Sequence, residues 1–222
     1  MPVVLYHCPP SPPSRAALTA AKAVGVDVTV KIVDLFKKEH LSDEYLKINP
    51  EHTVPSIDDN GFILHDSHAI ATYLVSRYGK DDSLYPKDVK QRALVDQRLY
   101  FDATILFPRL RATTYPIFFL GKRNVDADAR DAIYEALGNL EKYLEPTGWV
   151  AGDHATVADI SCAVTVGSLE VMGVDFSTYP KIRDWLKRCK NTFHGYEEAN
   201  QEGEKIIGDG IKNLVGPKAY LR

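Results

Sequence analysis

No stretch of this 222-residue chain approaches the ~20 consecutive apolar residues of a membrane span. The amino terminus, Met1-Pro2-Val3-Val4-Leu5-Tyr6-His7, has neither the basic start nor the apolar core of a signal peptide. The expected setting is the cytoplasm, with no membrane partner. Cysteine is scarce: Cys8, Cys162 and Cys189 are odd in number and far apart, which fits a reducing compartment and argues against a disulfide framework or a zinc site. No Lys/Arg block stands out, and the net charge is only −3 with both signs interspersed. Nothing in that balance attracts nucleic acid, although small anions can still bind locally. Internal repeats and low-complexity tracts are missing too. What the chain does have is 45% apolar residues, enough to bury a sizeable core in one large domain or two small ones.

The order of elements suggests two. Val3 to Tyr6 reads as a buried strand stopped by Pro9-Pro10, and an alanine-rich helix runs from Pro13 to Gly25. Val28 to Val33 reads as a second strand, so the start is a βαβ crossover. A short helix capped by Ser42 ends at Asn49-Pro50. Pro55 to Asp58 and Phe62 to His65 then form a hairpin turned at Asp59-Asn60-Gly61, and a helix begins at Ser67. Val54-Pro55 is a place where a cis bond can sit. This order, βαβαββα, resembles the thioredoxin fold.

Gly79 to Asp88 is polar and carries Gly and Pro, and no convincing strand follows it. The predicted division is a domain at 1–79, a linker at 80–89 and an all-α bundle at 90–222. A long helical pattern from Val89 passes Val95, Leu99, Phe101, Ile105 and Leu106, with bends or breaks expected at Pro108 and Pro116. Asp126 to Leu144 is amphipathic, with Ala127, Ile133, Leu137, Leu140 and Leu144 expected inward. Thr156 and Asp159 form a capping-box pattern, which assigns Asp159 to folding and not to catalysis. Pro180 opens a helix with Ile182, Trp185 and Leu186. Tyr196 to Val215 reads as a last helix weakened by Gly203, Gly208 and Gly210, and the tail after Pro217 is expected to be loose.

Several residues admit both a plain and a chemical reading. Ser11, before Pro12-Pro13, is a good N-cap, and Asp66-Ser67 is a good capping pair. His40 and His52, taken singly, are exposed loop histidines. Phe107, Arg111, Tyr115 and Phe119 recur every four residues, a spacing usual for core packing; an Arg among three aromatics suggests a lined pocket instead. Cys8-Pro9-Pro10-Ser11 has the form of a glutaredoxin-like motif with Cys8 as redox nucleophile, or Cys8 is a small apolar filler.

Taken together, Asn49-Pro50-x-His52-Thr53-Val54-Pro55 and the following Asp66-Ser67-His68-Ala69-Ile70 resemble the glutathione-binding segment of the cytosolic glutathione transferases. The likeness is greatest to the insect delta and epsilon classes. Delta sequences usually carry Glu-Ser-Arg where this chain has Asp66-Ser67-His68, which leans toward epsilon and removes a guanidinium. The resemblance implies roles. Ser11 matches the Ser of a Ser-x-Pro-x-Arg pattern and would lower the pKa of the glutathione thiol. His40 and His52 would lie near the glycyl carboxylate. Thr53, Val54 and Pro55 would meet the cysteinyl unit, with antiparallel backbone bonds to Val54. Asp66 would take the γ-glutamyl ammonium, while the Ser67 hydroxyl and the N–H groups of Ser67 and His68 hold its carboxylate.

Phe107, Arg111, Tyr115 and Phe119 would wall a pocket for small hydrophobic electrophiles. The implied activity is glutathione conjugation of the detoxification type, with peroxidase activity an open addition. Glutathione enters as cosubstrate, without metal or organic cofactor, and a homodimer is expected. Two alternatives stay open: a thiol-disulfide reductase using Cys8, and a non-catalytic carrier of hydrophobic ligands.

Overall fold

The computed structural model describes residues 2–221, so Met1 and Arg222, the outer ends of the two predicted domains, lie outside it. Four strands, β1 (Val3–His7), β2 (Val28–Ile32), β3 (Ser56–Asp59) and β4 (Phe62–His65), form one sheet in the order β2-β1-β3-β4. β1 and β2 are parallel and joined through α1 (Pro12–Ala23), whereas β3 runs antiparallel to β1 and β4 antiparallel to β3. The register sets Leu5 beside Ile57 and Ile57 beside Leu64. Asn60 and Gly61 turn the hairpin with φ of 54° and 90°, the left-handed pair that matches strand twist. A single 3₁₀ turn and α2 (Asp43–Leu46) lie between β2 and β3, and α3 (Ser67–Tyr78) follows β4. This is the thioredoxin-like arrangement, and the Val54–Pro55 peptide is cis.

The remainder is helical: α4 (Val89–Phe101), α5 (Phe107–Phe119), α6 (Ala127–Tyr143), α7 (Val157–Val171), α8 (Pro180–Thr192) and α9 (Tyr196–Val215). Among the described residues no helix is long and apolar enough to cross a membrane. α7 is its centre, buried from Val157 to Leu169. Asp159 proves structural: one carboxylate oxygen accepts from the Val150 N–H (3.0 Å) and the Trp185 indole (2.8 Å), the other from the N–H and hydroxyl of Thr156 (2.9 and 3.0 Å). Burial raises its pKa despite those four donors.

α1 explains why its stretch is so rich in alanine. Ala17 and Ala21 pack with Val3, Leu5, Ile57, Ile70 and Leu74 over the sheet, while Ala16 and Ala20 belong to the core of the helical part. Small side chains on both flanks let one helix serve two cores. Arg15, fully buried, ties the same helix across: Nη2 donates to Ser168 Oγ of α7 at 2.6 Å and Nη1 to Asn200 Oδ1 of α9 at 3.2 Å, with Glu204 at 3.7 Å.

Five expectations change, those for the two prolines only in that neither breaks the chain's helical course. The chain is not broken at Pro108: Asp102–Leu106 forms one π-helical turn, and the Phe107 N–H reaches back five residues to Asp102 O, so the wider turn absorbs the proline. Pro116 sits inside α5, which continues to Phe119 because Leu110 and Ile117 anchor its other face. Ala127 is exposed, since it is the first residue of α6 and precedes the packed stretch. The α9 glycines do not interrupt the helix, which runs unbroken; a Cβ at Gly203 would collide with the Pro9 carbonyl oxygen, so this glycine is what lets α9 approach the β1–α1 turn. The tail is not loose at Tyr220, which is buried and donates to Thr113 Oγ1 at 2.9 Å.

Candidate active site

The β1–α1 turn, the 35–41 loop, the 52–54 segment and α5 converge on a cleft of about 700 Å³. Of the residues named from sequence, Ser11, His40, His52, Thr53 and Val54 line one side of it, and Phe107, Arg111, Tyr115 and Phe119 the other. Pro55, Asp66, Ser67 and His68 lie outside that lining.

Ser11 is the N-cap of α1: its Oγ accepts from the Ser14 N–H at 3.4 Å. A hydroxyl that accepts on one side still has its own proton to give. Pro12 and Pro13 occupy the first turn and carry no N–H, so the helix end offers few backbone donors. An anion in front of it depends on the Ser11 hydroxyl and the helix dipole. Capping and chemistry therefore coexist in this residue. Cys8 is 4% exposed, and burial pushes its thiol up to about 11. A thiol held neutral inside the strand end is a poor nucleophile, which disfavours the reductase reading. Cys162 and Cys189 are buried as well.

The 52–55 segment is held from beneath by two residues whose role sequence reading missed. Asn49 Nδ2 donates to Thr53 O at 2.9 Å and to Thr53 Oγ1 at 3.1 Å, while its Oδ1 accepts from the Glu51 N–H at 2.9 Å. The Tyr45 hydroxyl donates to Thr53 O at 2.6 Å and lies 3.1 Å from Ser56 Oγ. From sequence, Asn49 is the end of α2 and the first residue of the loop motif, with no side-chain partner assigned. The His40 and His52 rings stand 6.2 Å apart, His52 in a left-handed conformation at φ 47°. Burial first, and then His52, lower the pKa of His40, whose Nδ1 is buried without a protein partner.

Asp66 caps α3 by accepting from the N–H groups of His68 (2.9 Å) and Ala69 (3.0 Å). The His68 N–H assigned by resemblance to a carboxylate is thus committed to Asp66, which itself remains exposed. Burial works against the Asp66 carboxylate, but these bonds and the His68 ring hold its pKa below the ordinary range. The His68 ring crosses to the helical part: its Nε2 is 2.9 Å from Asp102 Oδ2, which also accepts from Ser161 Oγ at 2.6 Å. Burial alone would lower the His68 pKa; the bonds to Asp102 and Asp66 outweigh it and raise it to about 9. A charged pair therefore exists here without the arginine, and no sequence pattern pointed to Asp102.

The stripe divides: Phe107 is half-buried and packs against the helical core as well as lining the cleft, while the other three are not core. On α5 the buried face is Leu110, Thr113, Thr114 and Ile117, whereas Arg111, Tyr115 and Phe119 are exposed, with the Arg111 guanidinium 4.5 Å from the Tyr115 ring centroid. Ile206 and Ile207 of α9 complete the wall. No group of three or more His, Cys, Asp or Glu among the described residues could hold a metal ion.

The sequence matches the family described as glutathione S-transferase, N-terminal domain, over residues 5–82, and that described as glutathione S-transferase, C-terminal domain, over residues 125–188. The Anopheles gambiae protein named glutathione S-transferase D7 is 42% identical over 92% of this chain and 94% of its own. A solved delta-class glutathione transferase of Nilaparvata lugens is 45% identical with a TM-score of 0.92, covering 96% of this chain and 100% of that one. An epsilon-class glutathione S-transferase of the housefly, Musca domestica, is 48% identical with a TM-score of 0.91, covering 96% and 98%. The two classes stand at near-equal identity, so the likeness spans both. Matched from end to end by relatives of one kind, and carrying their two-part fold, the chain belongs to the glutathione S-transferase family.

Proposed function

We propose that the protein conjugates the thiolate of glutathione to small hydrophobic electrophiles, with Ser11 as the catalytic residue. The observation that carries this reading is one cleft in which the Ser11 hydroxyl at a helix N-terminus faces a polar loop on one side and exposed aromatics on the other. Lowering a thiol by two pKa units from about 8.5 takes roughly 2.7 kcal/mol. A hydrogen bond to a charged group supplies about 1.5–3 kcal/mol, and the dipole adds to it.

The sulfur, ionised after its proton passes to water and held by the Ser11 Oγ–H, forms a C–S bond with the electrophilic carbon. That carbon either expels its leaving group as an anion to solvent or, at a polarised double bond, passes its π pair to the far atom, which water protonates. Val54 meets the cysteinyl backbone, with Thr53 and Pro55 shaping the segment. The unpartnered Nδ1 of His40, with His52, suits the glycyl carboxylate. Asp66 and the buried Ser67 receive the γ-glutamyl end. No further cofactor enters the proposal. Residues 1–79 bind glutathione, 80–89 link, and 90–222 supply the electrophile wall; the end of α3 at Tyr78 and the start of α4 at Val89 support that division.

A homodimer and a cytoplasmic setting belong to the same reading. Phe62 and Ile63 on β4, with Val89, Leu94 and Tyr100 on α4, are exposed and available to a second copy. The three thiols are free, as a reducing compartment requires.

The decisive experiment is a pH titration of thiolate absorbance in the glutathione complex, wild type against Ser11→Ala. The variant should titrate about one to two units higher and lose roughly 10- to 100-fold in kcat/KM at neutral pH. Coincident titrations would remove Ser11 from the chemistry, and a wild-type complex whose thiol ionises no more readily than free glutathione would leave the carrier reading.

A further inference from the structure

Phe36 reaches the electrophile wall from the other half of the chain. It sits in the loop between β2 and α2, and its ring stacks on Phe119 of α5 with centroids 5.2 Å apart and planes 14° from parallel. Phe118 meets it edge-on at 6.3 Å. Phe119 in turn stacks on Tyr115 at 5.2 Å, and Arg111 lies over Tyr115 at 4.5 Å. The result is a column of Phe36, Phe119, Tyr115 and Arg111 along the same cleft, with Phe36 its member from the sheet-bearing part. Phe36 is 55% exposed, Phe119 43% and Tyr115 39%, so these rings are not holding a core.

The loop that carries Phe36 is tied to itself. The Asp34 carboxylate accepts from the N–H groups of Phe36 (2.9 Å) and Lys37 (3.1 Å) and pairs with Lys37 Nζ at 3.2 Å. Glu39 Oε2 accepts from the Asp34 N–H at 2.8 Å, and the backbone bonds from Lys38 to Leu35 and from Glu39 to Asp34 close the same short segment. Such a loop keeps its shape when it shifts, and the ring contacts are what tie it across the cleft.

We propose that Phe36 is a specificity-determining residue: by closing the cleft mouth against Phe118 and Phe119 it discriminates against electrophiles too long to fit beneath the clasp. The proposal rests on the conjugation reading and goes beyond it by naming the substrate property that is selected. A compact one-ring electrophile reacts with the clasp shut. An elongated one must part Phe36 from Phe119 and forfeit their stacking. Contact between two half-exposed rings is weak, so the clasp opens thermally and the discrimination is graded. Long electrophiles that end in a flat aromatic ring suffer least, because that ring takes the place of Phe36 against Phe119.

The test compares wild type, Phe36→Ala and Phe36→Tyr on a one-ring aryl halide and a long-chain 2-alkenal, with the glutathione thiolate titrated in each protein. In Phe36→Ala the ratio of kcat/KM for the alkenal to that for the aryl halide should rise about three- to tenfold, the scale of one ring pair. The rise should come chiefly through the alkenal KM, and Phe36→Tyr, which keeps the stack, should return the wild-type ratio. An unchanged ratio overturns the proposal, because the ring then gates nothing. Equal losses on both electrophiles overturn it too, because the loop then serves only the fold. A wild type that forms a thiolate and conjugates the aryl halide shows that the transferase reading stands whatever the ratio does; one that does neither ends both.

Discussion

The two walls of the cleft are built from different materials. On the sheet side, beside the two histidines and the Phe36 loop, the cavity is faced by backbone and short polar side chains fixed by neighbours: Thr53 by Asn49 and Tyr45, Ser11 by the first turn of α1. On the α5 side they are exposed rings and one guanidinium, held by little more than stacking on each other. In the proposed function, the wall that grips one constant peptide uses atoms whose positions the chain itself dictates. The facing wall, proposed to admit different apolar molecules, uses side chains that yield. Polar fixation gives precision because each misplaced donor or acceptor costs a bond, while ring contact is non-directional enough to tolerate a change of guest.

The strongest way to break this contrast is to remove what both walls stand on. Arg15→Ala leaves Glu204 and Asn200 buried around an empty site between α1, α7 and α9. We expect a loss of about 3–5 kcal/mol in unfolding free energy, read as a lower denaturant midpoint, with both walls failing together. Activity retained at full stability would show that the two walls do not share this foundation.

Asn49→Ala strikes the polar wall alone. Three hydrogen bonds disappear and the buried Thr53 support goes, so stability should fall by about 1–3 kcal/mol and the glutathione KM should rise roughly tenfold. The preference among electrophiles should not move; if it does, the walls are coupled and the contrast is wrong.

His68 tests the bridge between the two parts. Its folded pKa is raised from 6.5 to about 9, so its stabilisation is fully present below about pH 6.5 and is lost as pH rises through 9. Unfolding free energy should therefore drop by something on the order of 2 kcal/mol between pH 6.5 and 9.5, and His68→Gln should flatten that slope. An identical slope in the variant would mean that the Asp102 pair carries no such stability.

Much of the polar wall could be read from the chain alone because it is local. Ser11 and His52 through Val54 are short motifs whose turns, caps and prolines dictate their own backbone; outside the cleft lining the same holds for Asp66 through His68, and the hairpin with its left-handed Asn60-Gly61 pair dictates its own register. What escaped was non-local. Nothing around Asp102 signals that a π turn will aim its carboxylate at a histidine 34 residues earlier. Phe36 looked like any apolar residue in a loop. The α9 glycines looked like flaws in a helix until the Pro9 carbonyl was found against Gly203.

By itself, then, the order of residues determined the elements, the two-part architecture and the local backbone of the polar side of the cleft, because each rests on interactions among residues a few positions apart. Only the tertiary structure decided which helix serves two cores, which carboxylate answers His68, and that a ring from the first half closes on rings from the second. Those contacts join residues scores of positions apart, and no local preference for turn, cap or periodicity carries information about them.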